Sequence, residues 1–329
     1  MSLAIIAAST AALQPSIPTL ASGRPFPHLS CVAGMASAPP SSALLRASGY
    51  EQHLRSKRCH SSLGAHVEAH ARALLASLPG QAPPVQDVLH CQATLQDQIL
   101  ASMCLRVAYA CSSEPRRAMT IDQTGTSGVA TALFLGLHAG VAAPEGLLLV
   151  TAADTWSSTF PGTFLPLVAY GDAVGALLLR HADPTRPAPG ERAHLLAVVC
   201  RPCIGREPFW SKGPVRVRNE ICEQLAGVAE EVLSRVGWNA ASLDLLLGDP
   251  IGPDIGADLV QRLGGCPQRA PQAEGDHAAS VALMVNIVSA IEFAQVQDRP
   301  VKCLLWTASA DGSVAAVALH AFPDAKTTP

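Results

Sequence analysis

The sequence predicts an α/β protein built from two similar halves, each with a sheet covered by helices on both faces. The predicted strands are continuous apolar runs without alternation, which is typical of strands buried on both faces. The order of strands and helices repeats after Asp183 to Glu191, a segment with three prolines and a glycine. A chain of 329 residues, 49% of them hydrophobic and 15% charged, is long enough to bury such a core.

The elements of the first half follow from apolar spacing and turn residues. Leu3–Ala8 predicts the first strand, and Pro79-Gly80 ends a helix predicted from Ser61 to Leu78. The remaining predictions are strands at Val85–His90, Ala118–Gln123 and Gly146–Ala152, helices at about Asp97–Ala110 and at Gly128–Leu137, and a tight turn into a strand at Tyr170–Leu179.

The second half repeats this order. The predictions are strands at His194–Cys200 and Leu243–Leu247, helices at Arg218–Val236, Gly256–Leu263 and Ala278–Ala294, and a closing hairpin of Val301–Trp306 with Ser313–Ala321. We therefore expect an internally duplicated fold with one half in residues 1–182 and the other in residues 192–329.

Composition and charge exclude several classes of function. The formal net charge is -3, and neither a basic run nor a basic stripe is present, so we expect no nucleic-acid partner and no anionic membrane surface. No stretch reaches about 18 uninterrupted apolar residues, so no membrane span is expected. The apolar opening lacks the basic residues of a secretion signal and predicts a strand.

The ten cysteines do not form the pattern of a disulfide scaffold. Their spacing is irregular and most lie in apolar runs, which predicts small buried side chains in a reducing, cytoplasmic protein. Cys200 and Cys203 form a CxxC without a second pair, and a structural zinc site needs four ligands. His66 and His70 share a helix face but lack the further ligand of a zinc-binding helix, so we expect no metal site.

Six short segments follow one another along the chain in the order and proportion of a known family. They are Ile121–Gly128, Tyr170–Leu179, Ser211–Val215, Leu243–Leu263, Gly275–Ser280 and Ser309–Gly312. Together they resemble β-ketoacyl-ACP synthase III and its relatives in the thiolase superfamily, over nearly the whole chain. The resemblance implies a five-layered αβαβα fold, with the nucleophile elbow in the first half and the other two catalytic positions in the second.

The resemblance also implies a site chemistry. In that family a cysteine at the start of a buried helix takes an acyl group from CoA, and a histidine and an asparagine stabilise the enolate formed when malonyl loses carbon dioxide. The resemblance places Thr126 at the cysteine position, Asp249 at the histidine position and Asp276 at the asparagine position. Gly312 falls in the glycine-rich turn that closes the site, where we expect it to contact a bound acyl thioester.

These substitutions argue against decarboxylative condensation. A threonine hydroxyl is too weak an acid to serve as a resting nucleophile without a paired base. An ionised aspartate only accepts hydrogen bonds, so neither Asp249 nor Asp276 can donate to a developing enolate. One reading is an inactive site. The other is a relay in which Thr126 or Ser127 pairs with His277, and His277 with Asp249.

Two functions remain open. In the first, the chain is a non-condensing subunit that forms a homodimer or a heterodimer with an active thiolase-fold homologue in fatty-acyl or polyketide-type biosynthesis. In the second, it transfers an acyl group from acyl-CoA or acyl-ACP to a hydroxyl or amine. We expect no permanently bound cofactor. A loose basic group around the seam between the two halves suits either an acyl-carrier protein or CoA phosphate, or an ordinary solvated rim, and consists of Arg201, Arg206, Lys212, Arg216 and Arg218.

Overall fold

The protein is described by a computed structural model over residues 2–12, 63–78, 80, 83–94, 102–111, 115–122, 124–138, 146–154, 163–164, 168–169, 172–183, 187–202, 214–249, 251, 255–265, 279–309 and 311–323. Eleven strands are present in this part of the chain. They are β1 Ser2–Ala12, β2 Val85–Gln92, β3 Arg117–Asp122, β4 Leu147–Asp154, β5 Thr163–Phe164, β6 Val168–Ala169, β7 Ala173–Ala182, β8 Ala193–Arg201, β9 Leu245–Gly248, β10 Val301–Ala308 and β11 Val314–Ala321. The α-helices are α1 Leu63–Ala76, α2 Met103–Cys111, α3 Gly128–His138, α4 Pro214–Val236, α5 Ile255–Arg262 and α6 Ala282–Gln297.

Nine strands form one mixed sheet in the order β3-β2-β4-β7-β1-β8-β11-β10-β9. From the middle of the sheet outward, the strands of the first half are β1, β7, β4, β2 and β3, and those of the second half are β8, β11, β10 and β9. In each half the first strand is innermost, the last strand in the sequence lies next to it, and the earlier strands lie towards the edge. The two halves meet where β1 pairs with β8 antiparallel. This repeated order supports our proposal that the boundary between the halves lies between residues 182 and 192.

Three hydrophobic clusters fill the spaces between layers. The central cluster joins α3 and α6 to both sets of strands, through side chains such as Leu133 and Ile287. A second places α1 and α2 on the outer face of the first set, and a third places α4 and α5 on the outer face of the second. Helices thus lie on the outer face of each set of strands and between the two sets. This arrangement confirms the predicted duplicated, five-layered αβαβα thiolase-like fold. Since α3 and α6 face strands on both sides, their sequences are apolar nearly all round.

One apolar stretch, Ala279–Gln297, is long and apolar enough to cross a membrane by length and composition. It is mostly buried inside the fold, where it supplies the central layer, and this burial is typical of a core helix. Among the described cysteines, Cys91, Cys104, Cys222 and Cys303 are buried free thiols, as predicted from their apolar surroundings. Cys203 of the CxxC lies outside the described residues, and cytoplasmic location stays a prediction.

Candidate functional site

The connection from β3 to α3 holds Thr126. Residues Gly125–Ser127 form a single 3-10 turn that runs directly into α3, so the Thr126 side chain lies at the start of a buried helix. Gly125 has a φ of +55°, and a Cβ atom there would lie 2.6 Å from Ser309 Oγ. The turn therefore needs glycine both for its left-handed backbone and for its close packing against the second half. The side chain of Thr126 is only 1% exposed.

Asp249 follows β9 directly and is fully buried. Its Oδ1 accepts a hydrogen bond from Asn286 Nδ2 on α6 at 3.1 Å. Its Oδ2 accepts from the backbone N–H of Ala308 at 3.2 Å and from the hydroxyl of Thr307 on β10. Both carboxylate oxygens are thus engaged as acceptors, and three donors compensate for the loss of water around a buried charge.

Thr307 also contacts Thr126, at 3.1 Å between the two Oγ1 atoms. Thr307 Oγ1 is the donor in both contacts, towards Thr126 Oγ1 and towards Asp249 Oδ2, and its single hydrogen serves one of them at a time. Thr307 thus connects the elbow to the buried carboxylate.

Ser127 takes no part in these contacts. Its hydroxyl donates to the carbonyl oxygen of Thr124 at 2.6 Å, within its own turn. Of the two hydroxyl groups that the sequence offered as nucleophiles, the structure connects only Thr126 to Asp249. Asp276 and His277 lie outside the described residues, so their predicted roles stay predictions.

The turn between β10 and β11 closes over the elbow. Gly312, with a φ of +90°, donates its N–H to Ser309 O at 2.8 Å, and Ser309 N–H donates to Ser313 O at 2.9 Å. Asp311 Oδ1 accepts from Ser313 N at 2.8 Å and from Ser313 Oγ at 2.7 Å. The N–H of Gly312 is therefore directed into its own turn, and its predicted contact with a thioester stays a prediction.

A second buried carboxylate, Asp154 at the end of β4, joins the two halves. Its Oδ1 accepts from the backbone N–H groups of Ala93 and Thr94 at 2.8 and 2.9 Å. Its Oδ2 accepts from the backbone N–H of Ser280 at 2.8 Å, in the 3-10 turn Ala279–Val281 that precedes α6. Burial raises the pKa of Asp154, although the Ser280, Thr94 and Ala93 hydrogen bonds oppose that shift.

A line of buried polar side chains continues from Asp154 into the first half. The Thr94 hydroxyl lies 3.2 Å from Asp154 Oδ1, and Gln92 Nε2 donates to Thr94 Oγ1 at 3.4 Å. His90 contacts Gln92 Oε1 through Nε2 at 3.3 Å and Thr151 Oγ1 through Nδ1 at 2.9 Å. Burial lowers the pKa of His90 to about 4, so this imidazole is neutral near pH 7.

Cys91 lies against the elbow helix α3, beside Gly128. Its Cβ is 3.4 Å from the position that a Cβ on Gly128 would take. Burial, together with the nearby charge of Asp154, raises the pKa of the Cys91 thiol well above its ordinary value. It therefore stays a thiol at neutral pH and does not replace the missing nucleophile.

Three site residues escaped the sequence analysis: Thr307, Asn286 and Asp154. Asn286 lies in a predicted apolar helix, whereas Thr307 and Asp154 lie just past the predicted ends of two apolar strands. Only the proximity of Thr307 to the turn at Ser309–Gly312 offered a signal. Within the described ranges, no group of three or more His, Cys, Asp or Glu side chains could hold a metal ion.

Two arginines of the basic group around the seam form ion pairs. Arg201 pairs with Glu231 at 3.1 Å, and Arg216 pairs with Glu220 at 3.1 Å. Arg206 and Lys212 of the same group lie outside the described residues.

A cavity of about 460 Å³ lies elsewhere, between β1, the end of α1 and the second half of α6. Arg192 and Glu292 line it together with apolar side chains such as Ile6, Leu74 and Ile291. Thr126, Thr307 and Asp249 are not among its lining residues. This cavity is therefore separate from the candidate site.

The fold and the site define a class of protein. A buried helix begins at an elbow in the first half, and the second half brings a polar side chain after β9 and a turn after β10 to that elbow. This is a thiolase-like arrangement of elements, here with hydroxyl and carboxylate side chains at the elbow and after β9.

Solved structures show the same fold over almost the whole chain. The acyltransferase ChlB3 matches with a TM-score of 0.73 and 15% identity, covering 99% of each chain. AbyA1, a tetronic acid condensing enzyme, matches with a TM-score of 0.71 and 19% identity over 97% of this chain and 99% of its own. 3-Oxoacyl-(acyl carrier protein) synthase III from Pseudomonas aeruginosa matches with a TM-score of 0.66 and 17% identity over 98% and 99%.

The predicted resemblance is thus confirmed as a likeness of fold to 3-oxoacyl-ACP synthase III and related condensing and acyl-transferring enzymes. No protein-family model matches the sequence, and no curated protein matches it.

Proposed function

We propose that this chain is a non-condensing thiolase-fold subunit that pairs with an active homologue in fatty-acyl or polyketide-type biosynthesis. The observation that supports it is the state of Asp249. A condensing site must donate hydrogen bonds to the negative oxygen of an enolate. The Asp249 carboxylate instead accepts three hydrogen bonds and would repel that charge.

Thr126 supports the same proposal. Its hydroxyl oxygen accepts a hydrogen bond from Thr307, and its side chain is almost fully buried. Thr126 thus has a polar partner inside the protein without a ligand, as expected of a side chain kept for the shape and stability of the site.

The edge of the sheet supplies a surface for the proposed partner. In the described part of the chain β3 is an edge strand that pairs only with β2. Three large apolar side chains are exposed beside it, Leu105 and Tyr109 on α2 and Met119 on β3 itself. An exposed apolar edge strand is a template for pairing with another chain. A second thiolase-fold chain would continue the sheet there and cover these side chains.

A decarboxylation assay tests the non-condensing role. The purified chain, alone and mixed with thiolase-fold proteins of its own organism, is incubated with malonyl-CoA and malonyl-ACP, and carbon dioxide release is measured. We expect no release from the chain alone. Release by the chain alone that is lost in Asp249→Ala would refute the proposal. Sedimentation velocity on the same mixtures shows whether a mixed dimer forms or the chain pairs only with itself.

A second candidate function is acyl transfer from acyl-CoA or acyl-ACP to a hydroxyl or amine through Thr126. One observation favours it: the Thr307 hydroxyl lies in hydrogen-bond contact with both Thr126 Oγ1 and the Asp249 carboxylate. The fold is also shared with a protein named as an acyltransferase. Intact-protein mass after incubation with acyl-CoA donors tests it: an increase of one acyl group, absent from Thr126→Ala, supports the transfer, and its absence with every donor supports the subunit.

A further inference from the structure

We propose that Ser9 and His70 form a second nucleophilic site, which hydrolyses carboxylic esters with apolar acyl chains. Ser9 lies on β1 and His70 on α1, and the Ser9 Oγ and His70 Nε2 atoms are 2.9 Å apart. A hydroxyl group in contact with an imidazole is the arrangement that many hydrolytic enzymes use to form covalent acyl intermediates. This activity depends on neither of the two functions proposed above.

Both side chains of this pair lie where a reactant can reach them. Ser9 and His70 are partly exposed, whereas Thr126 at the elbow is almost completely buried. A neutral imidazole carries its hydrogen on either of its two nitrogens. In the tautomer with the hydrogen on Nδ1, the Nε2 atom of His70 accepts the hydroxyl hydrogen of Ser9. His70 is then the general base and Ser9 the nucleophile.

The cavity of about 460 Å³ supplies a place for the acyl chain. Its lining includes Ala8, which directly precedes Ser9, and Leu74, which lies one helical turn after His70 on the same face of α1. The four residues from His70 to Leu74 span about 6 Å along the helix axis. Ile291 adds apolar surface from α6. An acyl chain bound in this cavity would therefore place its ester group beside the Ser9 hydroxyl.

The charges of the cavity favour an uncharged ligand. Its lining includes one cation, Arg192, and one anion, Glu292, so that their formal charges cancel. A carboxylic ester loses no charge solvation when it enters an apolar cavity, whereas a free carboxylate does. The substrate class is therefore an ester and not a fatty acid.

The edge of β1 offers donors for the negative oxygen of a tetrahedral intermediate. β1 pairs with β7 from Ser2 to Ala12, but with β8 only from Leu3 to Ile5. In the described part of the chain, no strand pairs with the β8 side of β1 beyond Ile5. Alternate backbone N–H groups of a strand point to its two sides, so some of those near Ser9 point to this side. Such N–H groups stabilise an oxyanion.

The reaction balances with water as the second reactant. Ser9 Oγ attacks the ester carbonyl carbon and forms a C–O bond, while the Ser9 proton moves to His70 Nε2. The bond from the carbonyl carbon to the alkoxy oxygen breaks, and the alcohol leaves with that proton. Water then attacks the acyl ester on Ser9, again with His70 as the base. The products are a carboxylic acid, an alcohol and the free Ser9 hydroxyl.

Labelling with a fluorophosphonate tests the nucleophile. The full chain is incubated with an octyl fluorophosphonate, whose fluoride is displaced by an activated serine hydroxyl, and the adduct is located by peptide mass. We expect an adduct on Ser9 of the wild type and none in Ser9→Ala. His70→Gln should slow labelling by at least about 100-fold, the lower end of what a general base contributes. No adduct on the wild type, or an adduct on another serine only, would overturn the proposal.

Two variants are matched controls for this labelling. Ser77 also lines the cavity, but its hydroxyl donates to the carbonyl oxygen of Leu74 at 2.7 Å, so Ser77→Ala should label like wild type. His66 lies one turn before His70 on α1, and His66→Gln should label like wild type as well. Equal losses in His66→Gln and His70→Gln would mean a general defect of the helix and would overturn the role of His70.

Ester hydrolysis tests the substrate class. Release of p-nitrophenolate from the octanoyl and acetyl esters is measured, and the part that is lost in Ser9→Ala is compared. We expect kcat/KM for the octanoyl ester to be at least about tenfold higher, the lower end of what contacts in an apolar pocket contribute. Ser77→Phe, which fills the cavity, should remove this preference. Equal values for the two esters in the wild type would overturn the assignment of the cavity.

Discussion

The carboxylate of Asp154 accepts the backbone N–H of Ser280 at 2.8 Å, and this bond links residues 126 positions apart in the chain. The same carboxylate holds the N–H groups of Ala93 and Thr94. It thereby fixes the start of the central helix α6 to the strand ends of the first half. The neighbouring Ala279 has a φ of +46°, a strained conformation that such a bond helps to keep.

We expect Asp154→Asn to lower the free energy of unfolding by about 1–3 kcal/mol, because an amide offers one acceptor oxygen where the carboxylate uses two. The loss depends on pH. Since the folded-state pKa of Asp154 lies above its ordinary value, the native state binds this proton more readily than the unfolded chain. Asp154 therefore adds stability as pH falls. In urea titrations, the difference in free energy of unfolding between wild type and Asp154→Asn should grow from pH 7 towards pH 5. A difference that shrinks with falling pH would contradict this.

His90 should have the opposite pH dependence. Its folded-state pKa of about 4 lies below the ordinary 6.5, so the unfolded chain takes up the proton first. The stability that it contributes is complete above pH 6.5 and is lost as pH falls towards 4. From these values we expect the free energy of unfolding of the wild type to fall by about 2 kcal/mol between pH 7 and pH 5, and we expect no such fall in His90→Gln. His138→Gln, on the exposed side of α3, should behave like wild type in the same urea titrations.

The packing of the elbow against the turn of the second half can be measured at Gly125. Gly125→Ala places a Cβ 2.6 Å from Ser309 Oγ and 3.1 Å from Asp311 Oδ2, on a backbone with φ of +55°. Gly190→Ala has a similar backbone conformation, with φ of +83°, but nothing within 4 Å of the new Cβ.

We expect Gly190→Ala to lower the free energy of unfolding by about 1 kcal/mol from backbone strain alone. Gly125→Ala should lower it by about 1–3 kcal/mol more, because its new Cβ also meets neighbouring atoms. Thermal and urea unfolding of the two variants give the comparison. Equal losses would mean that the elbow and the turn are not in tight contact.

The proposed pairing edge can be tested with a charge. Met119→Lys places an ammonium group on β3, and lysine on an edge strand opposes pairing with another chain. We expect association with a homologue or a second copy to weaken about tenfold or more, as measured by sedimentation velocity. Val296→Lys on α6, where the wild-type side chain is exposed and lies away from β3, is the control and should leave association unchanged. If both variants associate like wild type, the edge at β3 is not the interface.

The sequence by itself determined the fold class and most elements. Apolar runs and turn residues predicted the strands now observed at Val85–Gln92 and Leu147–Asp154, and the closing hairpin of β10 and β11. Such elements are set by local patterns, which a sequence carries directly. By resemblance it also predicted that Thr126 and Asp249 occupy the family's catalytic positions, and this assignment stays a prediction.

Only the tertiary structure decided how those residues interact. The contact from Thr126 to Thr307 spans 181 positions, and that from Thr307 to Asp249 spans 58. Both depend on the register of β10 between β9 and β11, where a shift by one residue would turn the Thr307 hydroxyl to the other face of the sheet. The hydrogen bond of Asp249 with Asn286 and that of Asp154 with Ser280 depend on the same kind of long-range proximity, which no local pattern encodes.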